Sequence, residues 1–330
     1  MAVILGAGLL GPLGGGLLYG HGGHAGQAMA ASGDTDDDDD AGASADISDT
    51  DSAGHKDPLR SLLRQASKSR QFSLPQESEL QQAEQLFAQL LQTPDAASPK
   101  LQAAANALQM ELQNVNGYTV LLEKTNAHRG RGLFAFRSAN SGKTTDVLQV
   151  PHAFTDEMTR EIGLGLFAEG RFAAVAFNTV PRRYNDEQGR QVVADMAHIT
   201  GTYFLAFTHA TAKVLPKGRT MQIHGFDQGK RKSAALSSTD MILSAGHGSP
   251  PSSLRQSREC MEKRLQRGVT LYADGVKELG ATTNVQAAAL RSLGYDNFIH
   301  VEMSRPLRTL MRDDAGARRQ LLSCILQSGA

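Results

Sequence analysis

Residues that can bind a metal or move a proton follow three short apolar runs of the chain. The runs end at His152, at His224 and at the segment from His300 to Glu302. Two imidazoles and a carboxylate that leave one coordination position free are typical of a catalytic zinc site. A glutamate beside such a site can act as general base and later as general acid. The pattern therefore predicts a catalytic metal site with Glu302 as the base.

Six motifs between about residues 130 and 310 resemble one group of enzymes. The motifs are GRGLFAFR, VPHAFTDEMT, FNTVPRR, DMAH, QIHGF and HVEMSRPLR. They resemble the zinc hydrolases related to N-formylglutamate amidohydrolase and poly-γ-glutamate hydrolase, which share a metallocarboxypeptidase-like core. The resemblance implies that His152 and His224 bind Zn²⁺, that Glu302 is the base, and that the reaction is hydrolysis of an amide bond.

The same resemblance implies a carboxylate ligand between the two histidines, and two residues compete for that role. Asp156 lies four residues after His152 and Glu157 lies five after it. The spacing of Glu157 is similar to that of poly-γ-glutamate hydrolase. Neither residue has the HxxE spacing of the carboxypeptidases, so both stay candidates for the metal ligand.

Four arginines flank the predicted site in the sequence. They are Arg182, Arg183, Arg305 and Arg308. A guanidinium group binds a carboxylate through two parallel hydrogen bonds, which an ammonium group cannot do. We therefore expect a substrate that carries carboxylates, such as an acyl-glutamate or a γ-glutamyl chain. The alternative is that these arginines form surface ion pairs.

The DMAH motif offers further polar groups. The spacing of Asp195 and His198 allows both side chains to lie on one face of a helix. Asp195 could orient a metal-bound imidazole from behind, or it could merely cap the helix. His247, after another predicted strand, is a reserve ligand.

The elements that carry these residues alternate from Gly117 onward. The predicted strands are Tyr118–Leu122, Leu133–Arg137, Val147–Val150, Ala173–Phe177, Thr220–His224, Met241–Ser244, Val269–Tyr272 and Phe298–Met303. The predicted helices cover about 156–168, 197–214, 251–267, 284–292 and 313–327. Such alternation predicts an α/β fold with a mixed, largely parallel sheet and helices on both faces. Reactive side chains gather at the carboxyl ends of the strands of such a sheet.

The segments before this α/β domain (114–330) have different compositions. Residues 58–113 predict a helical arm with helices at 76–92 and from Ser98 to Leu112. Residues 32–57 predict an acidic disordered linker. Residues 1–31 resemble a secretory signal without a basic start, or an uncleaved anchor. We therefore expect a periplasmic or secreted protein, which contacts a membrane only if the anchor remains.

The two cysteines of the chain could pair if the protein is exported, because disulfides persist in oxidising compartments. Cys260 and Cys324 could form one disulfide in an exported protein, or they could be buried free thiols. Two cysteines supply too few ligands for a metal site of their own.

The charge of the chain is unevenly distributed. Its formal net charge is zero, with 34 basic and 34 acidic residues. Ten Asp and only one basic residue fall in 1–57, which leaves 33 basic and 24 acidic residues in 58–330, a net charge of +9. The basic body suits an anionic substrate.

Composition excludes several other classes of protein. Forty per cent hydrophobic residues exclude a wholly disordered chain, and 21% charged residues exclude a polytopic membrane protein. The chain has no Trp and no nucleic-acid-binding motif, so no nucleic acid partner is expected. Two alternatives to the amidohydrolase remain: a metal-dependent esterase or phosphatase with two metals, and a non-enzymatic exported module that binds acidic polymers.

Overall fold

The computed structural model describes residues 57–138 and 144–326. The predicted signal and nearly all of the predicted acidic linker lie outside the described residues, so the expected location of the protein stays a prediction. Asp57, the last residue of that linker, caps the first helix by accepting hydrogen bonds from the backbone N–H groups of Leu59 and Arg60.

The described residues form nine α-helices and eleven β-strands. The helices are α1 (Pro58–Ala66), α2 (Glu77–Gln92), α3 (Pro99–Ala107), α4 (Thr159–Ala168), α5 (Tyr203–Val214), α6 (Ser252–Leu265), α7 (Val285–Ser292), α8 (Arg305–Asp313) and α9 (Ala315–Leu326). The strands are β1 (Met110–Val115), β2 (Tyr118–Glu123), β3 (Leu133–Arg137), β4 (Val147–Val150), β5 (Ala174–Phe177), β6 (Arg183–Asn185), β7 (Gln191–Val193), β8 (Thr220–Phe226), β9 (Met241–Ser244), β10 (Val269–Leu271) and β11 (Phe298–Ser304).

Nine of these strands form one mixed sheet. Their order is β1-β2-β3-β5-β4-β8-β11-β9-β10, and β6 pairs with β7 in a separate hairpin. The four central strands, β5, β4, β8 and β11, run parallel to one another. Antiparallel pairs join this parallel core to β3 on one side and to β9 on the other. The predicted α/β class and its mixed sheet are confirmed.

Helices cover both faces of the sheet, as predicted. Leu133 and Ala135 of β3 belong to one apolar core with residues of α4, α6, α8 and α9, on what we call the α4 face. Phe134 and Phe136, the alternate residues of β3, belong to another core with residues of α2 and α5, on what we call the α5 face. Alternation of side chains along each strand thus supplies two separate cores.

The predicted helical arm differs from the structure at its end. The helix expected to reach Leu112 stops at Ala107, and Gln109 has a left-handed φ of 58°. The chain then enters β1, which pairs with β2 across Asn116-Gly117, two residues with φ of 51° and 81°. Asn-Gly is favoured in such two-residue hairpin turns because both positions need a positive φ.

The arm helices also pack on the body. The Phe87 ring of α2 lies 4.5 Å from that of Phe134 in β3 and 5.5 Å from that of Phe207 in α5, measured between centroids. Residues 77–115 therefore contribute both a helix and a strand to the α/β body.

Two predicted helices begin later than expected. The helix predicted for 197–214 begins at Tyr203, where the hydroxyl of Thr202 accepts a hydrogen bond from the N–H of Leu205. Asp195 and His198 consequently lie in a turn and not on a helix. The helix predicted for 156–168 begins at Thr159. The sequence analysis did not predict α1, α8 or the β6–β7 hairpin.

A disulfide joins α6 to α9 through Cys260 and Cys324. Of the two alternatives for the cysteines, the structure therefore has the disulfide. No helix within residues 57–138 and 144–326 combines the length and apolar character needed to cross a membrane.

A buried carboxyl ends β2. Glu123 is 4% exposed, and its Oε1 accepts a hydrogen bond of 2.5 Å from the backbone N–H of Arg129. Burial raises the pKa of Glu123 to about 7, although hydrogen bonds from the following loop act to lower it. The folded protein therefore holds this proton more tightly than the unfolded chain does.

Stability should consequently depend on the ionisation of Glu123. A carboxyl whose pKa rises on folding stabilises the protein fully below the unfolded pKa and loses that contribution as the pH rises through about 7. Between pH 4.5 and pH 8 we expect the unfolding free energy of the wild type to fall by about 3 kcal/mol relative to Glu123→Gln. Urea unfolding of both proteins at the two pH values measures this difference, and an unchanged difference would contradict it.

Candidate metal site

The candidate site lies at the carboxyl ends of three neighbouring parallel strands. His152 follows β4 by two residues, and His224 lies in β8. Glu302 of β11 is in register with His224, and His300 is in register with Gln222. Because His300 and Glu302 are two residues apart in one strand, their side chains share a face of the sheet. The polar side chains converge there because parallel strands end at the same edge.

Three donor atoms form a small triangle at this edge. Nδ1 of His152 lies 3.1 Å from Nδ1 of His224, and Oδ2 of Asp156 lies 3.4 Å and 3.5 Å from these two nitrogens. Zinc–ligand distances of about 2.0–2.1 Å give tetrahedral ligand–ligand distances of about 3.3–3.4 Å. The triangle thus has the size of one face of a zinc coordination tetrahedron, and His152, Asp156 and His224 could hold a metal ion.

Asp156 is fixed by the turn that precedes α4. Its backbone carbonyl accepts a hydrogen bond of 2.7 Å from the hydroxyl of Thr159. Its Oδ2 accepts one of 3.1 Å from the backbone N–H of Gly225, next to His224. Its Oδ1 is buried and has no hydrogen-bond partner within the described ranges. A buried carboxylate oxygen without a partner is costly, and a bound cation would satisfy it.

Asp195 holds His152 from the other side of its ring. Oδ1 of Asp195 lies 2.9 Å from Nε2 of His152, and Oδ2 lies 3.1 Å from Nδ1 of His198. Metal-binding histidines usually donate their second N–H to a carboxylate or carbonyl in this way. Since Asp195 lies in a turn, the geometry agrees with the orienting role and not with helix capping.

The ionisable groups of the site influence one another strongly. Burial acts to lower the pKa of His152, but the carboxylates of Asp156 and Asp195 outweigh burial and raise this pKa to about 10. Burial acts to raise the pKa of Asp156 and of Asp195, but the neighbouring imidazoles hold both well below their usual range. Burial lowers the pKa of His224 to about 4. The site therefore concentrates negative charge in a buried place that favours a cation.

His300 belongs to the same cluster and was not proposed from the sequence as a site residue. Its Nε2 lies 3.5 Å from Oε1 of Glu302, and its ring centroid lies 4.6 Å from that of His224. Burial and the nearby imidazoles lower the pKa of His300 well below its usual value. The signal was in the sequence, because residues two apart in a strand point the same way.

His224, His300 and Glu302 form a second group that could hold a metal. This group shares His224 with the first, and both ring nitrogens of His224 have other partners. Its Nδ1 faces the triangle, and its Nε2 lies 2.9 Å from Oε1 of Gln222. The geometry therefore favours one metal ion rather than two.

Glu157 and Arg305, two predicted site residues, pair with each other outside the triangle. Nη2 of Arg305 lies 3.2 Å from Oε1 of Glu157, and both side chains are exposed. Glu157 is therefore not positioned as a metal ligand, because the turn directs Asp156 inward and its neighbour outward. Of the two candidate carboxylates, only Asp156 reaches the histidines.

Arg308, predicted to bind substrate, is fully buried. Its Nη1 donates to the backbone carbonyls of Phe226 at 3.2 Å and Met303 at 2.8 Å, so it joins the ends of β8 and β11. That position is the wrong one for contact with a substrate. Arg308 is buried together with Leu307 and Met311 on the inner side of α8, a helix that the sequence analysis did not predict.

The remaining predicted residues divide between the interior and the surface. Arg182 is buried, with its Nε 3.9 Å from Oδ2 of Asp195. Arg183 is exposed on β6. His247 pairs with Asp296 at 2.8 Å on the surface and does not join the cluster.

Comparison with known proteins finds structural similarity at low identity. No family model and no curated protein sequence matches the chain. N-formylglutamate amidohydrolase from Ralstonia eutropha JMP134 aligns with a TM-score of 0.37 and 12% identity over 57% of this chain and 94% of its own. A candidate metallopeptidase from Shewanella amazonensis SB2B aligns with a TM-score of 0.35 and 9% identity over 70% of this chain and 94% of its own.

Bovine thrombin-activatable fibrinolysis inhibitor gives a TM-score of 0.37 and 8% identity over 77% of this chain and 97% of its own. The chain is thus structurally similar, at low identity, to these three proteins. Similarity at this level does not identify a reaction, which has to follow from the side chains themselves.

Two adjacent carboxylates provide a matched test of the triangle. We expect Asp156→Asn to weaken zinc binding about 100-fold or more, because a charged ligand is lost from a buried site. Glu157→Gln should bind zinc as the wild type does, because that side chain is exposed. Competition with a chromophoric chelator measures both affinities. Equal zinc binding by the two variants would show that Asp156 is not a ligand.

Proposed function

We propose that this protein is a zinc-dependent amidohydrolase that cleaves an amide bond in a substrate carrying carboxylates. One observation carries the proposal. The donor triangle of His152, Asp156 and His224 has the dimensions of a zinc site, and the buried Glu302 lies in register with His224 on the adjacent strand. Hydrolysis by a metal-activated water requires a metal site and a neighbouring group that can accept a proton, such as a carboxylate.

The residues present fit zinc better than the harder divalent cations. Two imidazole nitrogens and one carboxylate oxygen are a donor set that zinc commonly has in catalytic sites, whereas calcium and magnesium prefer oxygen ligands alone. His152, His224 and Asp156 would hold the ion, with Oδ2 of Asp156 as the carboxylate oxygen nearest to both imidazoles. When bound, zinc lowers the pKa of a coordinated water and polarises a carbonyl group.

We propose that Glu302 moves the proton. It is 2% exposed, on the strand next to His224, so it meets an attacking water without competition from bulk solvent. As a carboxylate it takes a proton from that water, and as an acid it returns the proton to the leaving nitrogen. His300, 3.5 Å away, limits the positions open to the Glu302 carboxyl group.

Arginines and net charge support an anionic substrate. Arg182 lies beside Asp195 in the interior, close to the group that holds His152. Arg305 is exposed and pairs with Glu157, the residue that follows Asp156. The net charge of +9 on residues 58–330 also attracts an anionic substrate. We infer an acyl-glutamate or γ-glutamyl-like substrate whose carboxylates bind these guanidinium groups.

The two alternative functions, a two-metal esterase or phosphatase and a non-enzymatic module that binds acidic polymers, require different sites. A phosphatase of the two-metal type needs ions about 3.5–4 Å apart, and the shared His224 cannot serve both groups without losing its bond to Gln222. A module that only binds acidic polymers does not need buried imidazoles with a lowered pKa, such as those of His224 and His300. Metal content and a phosphoester panel therefore separate all three.

Replacement of the base tests the mechanism directly. We expect Glu302→Gln to keep one zinc per chain and to lower kcat/KM about 10²- to 10⁴-fold, because it removes proton transfer and leaves the ligands intact. Activity on N-acyl-glutamates and γ-glutamyl peptides is measured together with zinc content. His224→Ala provides the contrasting control, since it should lose the metal itself. Full activity in Glu302→Gln would exclude its role as base.

A further inference from the structure

A buried cluster of four amide side chains lies on the α5 face behind the candidate site. Gln149, Gln222, Asn284 and Gln286, which we call the amide network, are between 0% and 2% exposed. Gln222 is its centre. Its Nε2 donates to Oε1 of Gln149 at 3.0 Å and to Oε1 of Gln286 at 3.3 Å, and its Oε1 accepts from Nδ2 of Asn284 at 2.6 Å.

The hydrogen bonds on the α5 side of the network fix which end of each amide group donates and which accepts. The hydroxyl of Thr208 donates to the backbone carbonyl of Phe204 at 3.0 Å, so its oxygen must accept from Nε2 of Gln149, 2.9 Å away. Oε1 of Gln149 therefore points at Gln222, which must present its NH₂ group in return. A backbone carbonyl, which can only accept, thus determines how two amides are oriented.

The α7 side requires the same orientation. Nε2 of Gln286 donates to the backbone carbonyl of Met196 at 2.6 Å, so Oε1 of Gln286 is left to accept from Gln222. Oδ1 of Asn284 accepts from the backbone N–H of Ala287 at 3.0 Å, so Nδ2 of Asn284 is left to donate to Gln222. Three separate backbone groups, the carbonyls of Phe204 and Met196 and the N–H of Ala287, therefore require the same orientation, in which Oε1 of Gln222 faces His224.

This orientation decides which nitrogen of His224 carries the hydrogen. Oε1 of Gln222 lies 2.9 Å from Nε2 of His224 and can only accept. A neutral imidazole has one N–H, so the hydrogen occupies Nε2 and the lone pair of Nδ1 points at His152 and Asp156. The alternative tautomer would leave a buried acceptor facing another acceptor.

We propose that Gln222 is a positioning residue, which through the amide network keeps His224 in the Nε2–H form so that Nδ1 is always available to a metal ion. The proposal rests on the metal site of the proposed function. His152 and His224 are thereby held by different chemistry, the first by the charged Asp195 and the second by a neutral amide. The amide orients its imidazole without adding another charge to the buried site.

Three variants test this role. In Gln222→Met the acceptor is lost, and we expect zinc affinity to fall about 10- to 100-fold. Gln222→Glu keeps an acceptor for His224 but removes the NH₂ group that binds Gln149 and Gln286, so it should lose less zinc affinity than Gln222→Met. Gln149→Met is the matched control, because it removes an equally buried amide in register with Gln222 but leaves the bond to His224.

The readouts separate positioning from stability. Zinc affinity comes from chelator competition, and the tautomer of His224 in the metal-free protein comes from ¹⁵N chemical shifts of labelled histidine. The Nε2–H form should dominate in the wild type and in Gln149→Met, and Nδ1–H should appear in Gln222→Met. Equal loss of zinc affinity in both Met variants, or an unchanged tautomer in Gln222→Met, would overturn the proposal.

The same measurements distinguish this inference from the proposed function. If the wild type binds no zinc but His224 changes its tautomer in Gln222→Met, then the positioning role of Gln222 stands and the metalloenzyme proposal fails. If zinc binds and the tautomer does not respond, then the metal site stands and the role of Gln222 is refuted.

Discussion

The candidate site depends on holding three polar donor atoms within 3.5 Å of one another in the protein interior. Buried polar groups are costly unless each has a further hydrogen-bond partner. Asp195 serves His152, Gln222 serves His224, and a backbone N–H serves Asp156. Gln222 and Gly225 both lie in β8, and Asp195 lies in the turn before α5, so the site depends on the central strand and on a segment far from it in sequence.

The sequence predicted the strands that carry the site because their apolar runs are short and clearly bounded. β3, β4 and β9 have the predicted ends, and β8 and β11 extend only slightly further. β1 was missed because Leu108 and Leu112 continue the helical period of α3. The Asn116-Gly117 turn was the local sequence signal for a hairpin at this place. The pairing of β1 with β2 also depends on the rest of the sheet, which the local sequence does not show.

Residue type and spacing predicted which strands carry reactive groups, but not where each side chain points. Asp156 and Glu157 are equivalent in sequence, and only the turn before α4 separates the buried one from the exposed one. Arg305 and Arg308 are likewise separated only by the packing of α8, which buries Arg308 and leaves Arg305 exposed. The amide network could not be foreseen, since its members come from β4, β8 and the start of α7 and have no recognisable spacing.

One backbone position, Gly225 in β8, contacts both the candidate site and the buried Arg308 of α8. Its N–H binds Asp156, and a Cβ atom at this position would overlap the guanidinium group of Arg308. An arginine far from any reacting atom therefore dictates the residue that follows His224. Among descendants of this sequence the two positions should be inherited together, with the glycine free to diverge only in lineages that have already replaced the arginine.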